Sequence, residues 1–269
     1  MTDTPIATMT RQPTIDTRRP TLARIVNYWA GGKDHFAADR TLADHITAAH
    51  PGIPHGYRAA RQAAAHTVTR LAADGIRQFV DLNPGLPDPD GADTHTIAQH
   101  VAPTSTIVYV DHDPLVLAHC RALHTSHPAG NVIVVDADPT RPAHLATAVT
   151  AHIDLAEPVA VMATNVAHHL ADHHLHDLAG HLARHLPIGS RIVVTIHTHP
   201  VDHRLRAARH HLVAAGIPYH HRTPDHTAAL LHQPGLTTPH HPPPNPDATN
   251  HSRGTTAAVL IAHANPRIR

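Results

Sequence analysis

The first quarter of the chain carries apolar side chains at helical spacing. These positions recur every three or four residues: Leu22, Ile25, Val26 and Trp29, then positions within residues 41–49 and 58–73. Two pairs, Gly31-Gly32 and Pro51-Gly52, interrupt the pattern, because glycine and proline both disrupt a regular helix. The pattern therefore predicts three helices, which together form a helical N-terminal cap over residues 20–75.

Beyond residue 75 the pattern changes to short runs of apolar and β-branched residues. Five such runs cover residues 76–82, 106–111, 132–136, 159–164 and 191–196. The segments between them are long enough for one helix each, at residues 93–101, 114–123, 142–151 and 173–186. Continuous apolar strands that alternate with helices are typical of a parallel sheet covered on both faces. Right-handed crossovers then predict a doubly wound α/β fold.

The C-terminal region departs from this alternation. Two further apolar runs, at residues 236–238 and 257–262, flank a proline- and histidine-rich stretch that cannot form regular structure. We predict a final antiparallel hairpin with a long loop at residues 239–253, which brings the mostly parallel sheet to seven strands with an antiparallel last strand. The sheet domain then spans residues 76–265. The polar residues 1–19 are expected to form a disordered leader.

Composition narrows the possible partners. The formal net charge is +0 and aromatic residues make up 3% of the chain, so the basic surface and stacking platform typical of nucleic-acid binding are missing. No apolar run approaches the roughly 18 residues of a membrane helix. The one cysteine, Cys120, excludes an intramolecular disulfide. We therefore expect a soluble, cytoplasmic protein without a nucleic-acid or membrane partner.

Histidine is the unusual component, with 33 copies in the chain. Two sets have spacings that could chelate a divalent ion: His197, His199 and His203, and His169, His173 and His176. Such spacings arise by chance at this histidine content, and the sequence contains no HExxH pattern. We therefore expect most of the histidines to be ordinary surface residues and predict no specific metal site.

Acidic and amide side chains follow several predicted strands: Asp81, Asp111, Asp113, Asp138 and Asn165. In open α/β sheets the ligand lies beyond the carboxyl ends of the strands. Asp111 lies 26 residues beyond Gly85, close to the spacing of about 20 at which an acid meets ribose hydroxyls in dinucleotide sites. Asp138 could similarly meet an adenine amino group. Alternatively these acids cap the following helices, as Asp113 before Pro114 could do.

Several segments carry a specific resemblance to a known family. They are residues 20–28, the GGKDHFAADR segment at residues 31–40, residues 75–82, residues 109–114, Ala137-Asp138, and His168 after the fourth strand. On these segments the chain resembles the actinobacterial S-adenosylmethionine-dependent methyltransferase-like family. The resemblance implies a Rossmann-like class I methyltransferase fold with a helical N-terminal cap and S-adenosyl-L-methionine as cofactor.

The resemblance also suggests which residues bind the cofactor: Gly31, Gly32, Lys33, Asp34, Asp81, Asn83, Gly85, Asp111, Asp113 and Asp138. For the GGKD residues the alternative is a structural role, in which Trp29 and Phe36 dock the cap on the sheet while Lys33 and Asp34 form a surface pair. Asn27 stands where the family usually has aspartate. Both readings of the GGKD segment remain open at this point.

The loop after the first strand departs from the family pattern. The family has Asp-Leu-Gly-x-Gly-x-Pro-Thr, whereas this chain has Asp-Leu-Asn-Pro-Gly-Leu-Pro-Asp at residues 81–88. Asn83 adds a side chain where the backbone approaches the cofactor, although asparagine tolerates positive φ well. Pro84 offers no N–H and pushes Asn83 toward extended geometry. Asp88 adds a charge that would repel a carboxylate. All three changes predict weaker cofactor binding.

Two residues after the fourth strand are candidates for catalysis. His168 could act as a general base if its pKa lies near 7, and Asn165 could orient the acceptor atom. A surface histidine cluster at the end of a helix is an equally compatible interpretation. The resulting hypothesis is an S-adenosylmethionine-dependent methyltransferase that acts on a small-molecule acceptor, with a homodimer as a candidate assembly. The alternative is a diverged, non-catalytic member that serves binding or regulation.

Overall fold

The computed structural model describes residues 15–237 and 256–264. Its helices are α1 Leu22–Trp29, α2 Ala37–Ala49, α3 Gly52–Ala73, α4 Thr94–Val101, α5 Pro114–Leu123, α6 Pro142–Thr150, α7 Asp172–His185, α8 His203–Ala214 and α9 Pro224–Leu231. Its strands are β1 Gln78–Leu82, β2 Thr106–Asp111, β3 Asn131–Asp136, β4 Val159–Thr164, β5 Arg191–Thr198 and β6 Thr256–His263. The predicted loop at 239–253 and the first 14 leader residues lie outside the described part.

The strands form one sheet in the order β3-β2-β1-β4-β5-β6. Strands β1 to β5 are parallel and β6 runs antiparallel to β5, which confirms the mostly parallel sheet with an antiparallel last strand. Among the described residues the sheet has six strands, so the predicted count of seven needs correction. Leu236 forms only one isolated bridge, to Ala264, because a turn at Pro234-Gly235 precedes it and Pro239 follows closely.

Helices cover both faces of the sheet, which explains the continuous apolar strands. On one face Val80, Val108 and Val161 pack with α6, α7 and α9. On the other face Phe79 and Ile107 pack with α3 and α4. Successive residues of each strand point to opposite faces. When both faces are buried, every position along the strand is therefore expected to be apolar.

The first two helices pack elsewhere. Ile25 of α1 and Ile46 of α2 join Leu205 and Leu212 of α8 in a separate apolar cluster. Helix α8 was not predicted, because its sequence HRLRAARHHLVA places arginine and histidine between its few apolar positions. Helix α9, also not predicted, begins with Thr223 accepting a hydrogen bond from the backbone N–H of His226. Within the described residues, no helix is long and apolar enough to cross a membrane.

Candidate functional site

A cavity of about 570 Å³ lies at the carboxyl ends of β1 to β4. Helices α1 and α3 form its other wall, through residues such as Leu22, Val26 and Tyr57. The sheet order changes direction between β1 and β4, and ligands of doubly wound sheets bind at such a switch point. Its volume falls in the range of about 300–1,000 Å³ typical of small-molecule sites.

Strands β1 and β2 each place a buried carboxylate on the cavity wall. Asp81 is 7% exposed and accepts a hydrogen bond of 2.6 Å from Thr94 Oγ1. Asp111 is 5% exposed, and its Oδ1 accepts hydrogen bonds from the backbone N–H groups of His112 and Asp113. Burial raises the pKa of Asp81 to about 6, against the hydrogen bond from Thr94. Burial likewise raises the pKa of Asp111 to about 6.

Asp113 and Asp138 also line the cavity, but both carboxylates serve the local backbone as well. Asp113 caps α5 by accepting a hydrogen bond of 2.8 Å from the backbone N–H of Leu115. Asp138 Oδ1 accepts from the N–H and Oγ1 of Thr140. Burial acts to raise the pKa of Asp138, but the bonds from Thr140 hold it below its usual value. Capping and a place in the cavity are therefore compatible here.

The altered loop after β1 lines the cavity through Asn83, Pro84 and Gly85. Asn83 has φ 51°, in the left-handed region, so the expected restriction to extended geometry by Pro84 is wrong. The backbone N–H of Asn83 donates to the carbonyl of Val110 at 2.7 Å, which fixes this conformation. Asn83 Oδ1 is buried and has no hydrogen-bond partner among the described residues, a condition that calls for a donor such as a ligand.

The charge of Asp88 does not face the cavity as expected. Its Oδ2 lies 3.2 Å from Nη2 of Arg61, a residue of α3 that lines the cavity. The expected repulsion of a carboxylate-bearing ligand therefore needs correction, because the nearby arginine neutralises the acid. Sequence reasoning missed Arg61, since nothing in the sequence near position 61 indicates a partner 27 residues later.

The structure does not bring the GGKD segment to the cavity. Gly31, Gly32, Lys33 and Asp34 are all missing from the residues that line it, and Lys33 and Asp34 are exposed. They form a tight turn around Asn27, whose Oδ1 accepts a hydrogen bond from the backbone N–H of Asp34. A Cβ at Gly32 would lie 2.3 Å from Asn27 Nδ2, and Gly31 has φ 84°. This geometry corrects the predicted cofactor contacts and explains both glycines by the turn.

The neighbouring acid of the same segment also has a structural role. Asp39 is fully buried, and its Oδ1 lies 3.1 Å from Nε of the buried Arg24. Its carboxylate accepts further hydrogen bonds from the backbone N–H groups of Thr21 and Phe36. Asp39 thus holds the starts of α1 and α2 together, which accounts for this one acid of the sequence pattern.

His168 does not reach the cavity, contrary to its predicted role as a general base. The side chain is fully buried in the 3₁₀ turn Val166–His169, and burial lowers its pKa to about 3. Its Nδ1–H donates to the carbonyl of His220, and its Nε2 accepts from the backbone N–H of His197. Both ring nitrogens therefore stabilise the backbone and leave none for a substrate.

Its neighbour His169 lines the cavity instead. His169 Nδ1–H donates to the carbonyl of Pro218 at 2.6 Å, and Nε2 accepts from Tyr57 Oη at 2.6 Å. Burial lowers the pKa of His169 to about 4, so the ring is neutral at pH 7. Sequence reasoning selected His168 rather than His169, because only the geometry of the turn decides which ring faces the cavity.

Asn165 lines the cavity as predicted for a positioning residue, with φ 61°. Its Oδ1 accepts a hydrogen bond from Nδ1–H of His197, whose Nε2 accepts in turn from Tyr219 Oη. Burial lowers the pKa of His197 well below its usual value. The amide is therefore held by a neutral hydrogen-bonded chain beneath the cavity floor.

Neither predicted histidine set converges on a metal-binding geometry. The rings of His197 and His169 are committed to the hydrogen bonds described above, whereas His173 and His203 lie exposed on the surface. Within residues 15–237 and 256–264, the group whose ligand atoms cluster closely enough for a metal ion is a different one, Asp93, His95 and His124.

Solved structures show which proteins share this architecture. A DUF574 family protein from Streptomyces avermitilis has 30% sequence identity and a TM-score of 0.80, with 93% of this chain and 99% of that chain covered. A candidate methyltransferase from Thermobifida fusca has 29% identity and a TM-score of 0.79, with coverage of 93% and 97%. An O-methyltransferase family protein from Burkholderia thailandensis shares the fold alone, with 14% identity, a TM-score of 0.51 and coverage of 76% and 56%.

A comparison with curated protein sequences finds no match. The profile of the family described as S-adenosyl methyltransferase matches residues 8–264. This match includes the cavity, the sheet and all three N-terminal helices. The chain therefore belongs to the S-adenosyl methyltransferase family, whose methyl donor is S-adenosyl-L-methionine.

Proposed function

We propose that this protein transfers a methyl group from S-adenosyl-L-methionine to a small-molecule acceptor inside the described cavity. The observation that carries the proposal is that one cavity joins two chemically different sides. The carboxylate side consists of Asp81, Asp111 and Asp138 at the ends of β1 to β3. The imidazole side consists of Tyr57, Asn165 and His169, which line the cavity, together with His168, His197 and His199, which are buried outside the cavity lining.

The residues of the carboxylate side fit the cofactor. Asp111 uses Oδ1 for its own turn, so Oδ2 can accept hydrogen bonds from ribose hydroxyls. The buried Oδ1 of Asn83 lacks a donor, which an ammonium group can supply. Arg61 on the same wall is paired with Asp88 through Nη2, and its other N–H groups can face a carboxylate. Asp138, which follows β3, can accept a hydrogen bond from the adenine amino group of the cofactor.

The bound cofactor supplies an electrophilic methyl group on a sulfonium. On the imidazole side, Leu170, Ile217 and Pro218 line the cavity with apolar surface and can exclude water from an acceptor. Asn165 can orient that acceptor, because its amide is fixed by His197. Catalysis then comes mainly from alignment in a dry site.

His169 holds Tyr57 in position and does not itself remove a proton. At pH 7 its Nδ1–H and Nε2 are both engaged, and a pKa of about 4 makes the ring a weak base. The favoured acceptor is therefore one whose nucleophilic atom needs little help with deprotonation.

The N-terminal helices close the cavity in this proposal. Leu22, Ala23 and Val26 of α1 line its outer wall, so α1 can serve as a cap over bound ligands. The small-molecule acceptor, a cytoplasmic location and a homodimeric state stay predictions from the sequence, as does the absence of nucleic-acid and membrane partners.

One observation favours a second candidate, a non-catalytic binding or regulatory role. Pro84 lines the cavity without an N–H to offer, which removes one donor that the family's loop supplies to the cofactor. A cavity with this defect could bind the cofactor too weakly to support turnover.

Calorimetric titration of the tag-free protein separates these candidates. We expect micromolar binding of both S-adenosylmethionine and S-adenosylhomocysteine. In a screen of phenols, amines and carboxylic acids as acceptors, we then expect S-adenosylhomocysteine to form from S-adenosylmethionine. An absence of binding at millimolar ligand would reject the enzyme and favour the non-catalytic role.

A further inference from the structure

A cluster of three ligand-type side chains lies beside the cavity, between the start of α4 and the end of α5. Asp93 and His95 flank the first residue of α4, and His124 follows α5 directly. One potential ligand atom from each of the three lies within 4.8 Å of the others. The sequence separates His124 from Asp93 by 31 positions, so only the fold brings them together.

His124 is the member whose ring nitrogens lack hydrogen bonds. Its side chain is 2% exposed, and within the described part of the chain neither Nδ1 nor Nε2 has a hydrogen-bond partner. Asp93 Oδ2 lies 3.6 Å from Nε2, beyond hydrogen-bond distance. Burial of an unsatisfied polar ring is costly, and such groups call for an unseen water or ion.

His95 is held by Tyr109 at one ring nitrogen, and its Nε2 lies 3.4 Å from Thr96 Oγ1. Tyr109 Oη lies 2.9 Å from His95 Nδ1 and accepts the backbone N–H of His95 at 2.8 Å. A polar group on one ring nitrogen is how metal-binding histidines are usually fixed, with the other nitrogen left for the ion. His95 is 6% exposed, and burial keeps its ring neutral by lowering the pKa to about 4.

Asp93 occupies the N-cap position of α4 without using its side chain as a cap. An aspartate at this position normally accepts a hydrogen bond from the first turn. Here its Oδ1 accepts from the backbone N–H of Asp88, and Oδ2 faces His124. Oδ1 also lies 3.9 Å from Arg61 Nη2, so Oδ2 is the oxygen that remains for the cluster.

We propose that Asp93, His95 and His124 bind a divalent transition metal ion of the zinc class. Two imidazoles and one carboxylate with an open position for water are a known zinc ligand set. Ligand atoms around tetrahedral zinc lie roughly 3.4 Å apart, so small side-chain movements would close the site. This cluster shares no residue with the two histidine sets that were identified from their spacing in the sequence.

The ion would join the loop that follows β1 to the end of α5. Asp93 also lines the cofactor cavity, and His95 lines a groove on the outer side of α4 together with Thr69 and Gln99. An ion can therefore reach Asp93 from the cavity and His95 from the groove. The metal would act as a fixed tie that holds the wall of the cavity, whether or not methyl transfer occurs.

Cobalt titration of the tag-free, chelator-treated protein tests the site despite the many other histidines. Cobalt bound by few protein ligands in a closed site absorbs visible light strongly, whereas six-coordinate cobalt on surface histidines absorbs weakly. We expect one equivalent of cobalt to give the strong absorption and one equivalent of zinc to abolish it. Zinc should also raise the melting temperature.

Two variants and one control make the result specific. His124→Gln and Asp93→Asn should each lose the strong absorption and the zinc-induced rise in melting temperature. His181→Gln/His185→Gln removes an exposed helical pair with rings 6.4 Å apart and should change neither. Asp93→Asn keeps an oxygen for the backbone N–H of Asp88, so it serves if His124→Gln does not fold. Weak absorption in the wild type, or strong absorption that survives Asp93→Asn, would overturn the proposal.

Discussion

The two sides of the cavity bury ionisable groups with opposite consequences. On the carboxylate side, burial raises the pKa values of Asp81 and Asp111 to about 6. On the imidazole side, burial lowers the pKa values of His168 and His169 to about 3 and about 4. Burial disfavours the charged form in both cases, but at pH 7 the acids are still ionised while the imidazoles are neutral.

The difference separates two tasks within one cavity. An ionised carboxylate side attracts a cationic ligand such as a sulfonium cofactor. A neutral imidazole side can accept an uncharged acceptor without leaving buried charges unpaired. In the proposed function, the carboxylates that attract the cofactor are thus separate from the uncharged surface that would align the acceptor. The following experiments compare the two sides.

Acidification should give the largest effect, through the imidazole side. Because their folded pKa values lie below the usual 6.5, His168, His169 and His199 each lose about 2 kcal/mol of stabilisation between roughly pH 7 and pH 5, as the unfolded state takes up the protons. Asp81 and Asp111 act in the opposite sense. Because their folded pKa values are raised, the folded state takes up their protons first, and each adds about 1 kcal/mol of stability as the pH falls from 7 to 5. From these five groups, urea unfolding should show a net loss of roughly 3–4 kcal/mol.

A matched pair of variants assigns that loss to the imidazole side. His168→Asn should make the dependence of unfolding free energy on pH shallower by about 1.4 kcal/mol per pH unit near pH 5. His173→Asn changes an exposed histidine and should leave the slope unaltered. Equal slopes for wild type and His168→Asn would contradict the assignment.

Removal of the charge on Asp111 should be the next largest effect. Asp111→Asn keeps an oxygen for the N–H groups of His112 and Asp113 but loses the charge, so cofactor affinity should fall about 10- to 100-fold. Asp136→Asn alters an exposed acid at the end of the neighbouring strand β3 and should leave affinity unchanged. Calorimetry measures both, and equal affinities in the two variants would place the cofactor elsewhere.

Tyr57→Phe should affect only the imidazole side. The change leaves the Nε2 of His169 without its donor, which should cost about 1–2 kcal/mol of stability while cofactor affinity stays the same. Tyr28→Phe removes a hydroxyl that bonds the exposed Asp44 and should be nearly neutral. A clear loss of cofactor affinity in Tyr57→Phe would show that the two sides are not independent.

The smallest expected effect concerns the loop after β1. Pro84→Ser restores an N–H on the cavity wall and should tighten cofactor binding by up to about tenfold, the value of one hydrogen bond. Pro87→Ser changes the same loop outside the cavity lining and should have no effect on affinity. Unaltered binding in Pro84→Ser would mean that Pro84 is not what weakens the site.

The carboxylate side was predictable because of its position in the fold. Parallel strands all present their carboxyl ends at one edge, so Asp81, Asp111 and Asp138 could be assigned to one site from strand boundaries alone. Their places in the cavity follow directly from the sheet order. No side-chain geometry was needed for this step.

The imidazole side and the GGKD turn were not predictable in the same way. Whether His168 or His169 faces the cavity depends on a one-residue rotation of the 3₁₀ turn after the left-handed Asn165. The role of Gly32 depends on contact with Asn27. The direction of a side chain and the need for a glycine depend on local backbone geometry and on long-range contacts. Residue types and their spacing along the chain do not show either.

Asn83 and Pro84, the pair that departs from the family's loop, also affect how the protein ages chemically. An asparagine side chain deamidates when the backbone nitrogen of the next residue attacks it and loses its hydrogen in forming a cyclic imide. Pro84 has no hydrogen on that nitrogen, so this route is closed at Asn83. The same proline that leaves the cavity wall without an N–H protects the neighbouring amide from spontaneous deamidation, and Pro84→Ser would remove that protection.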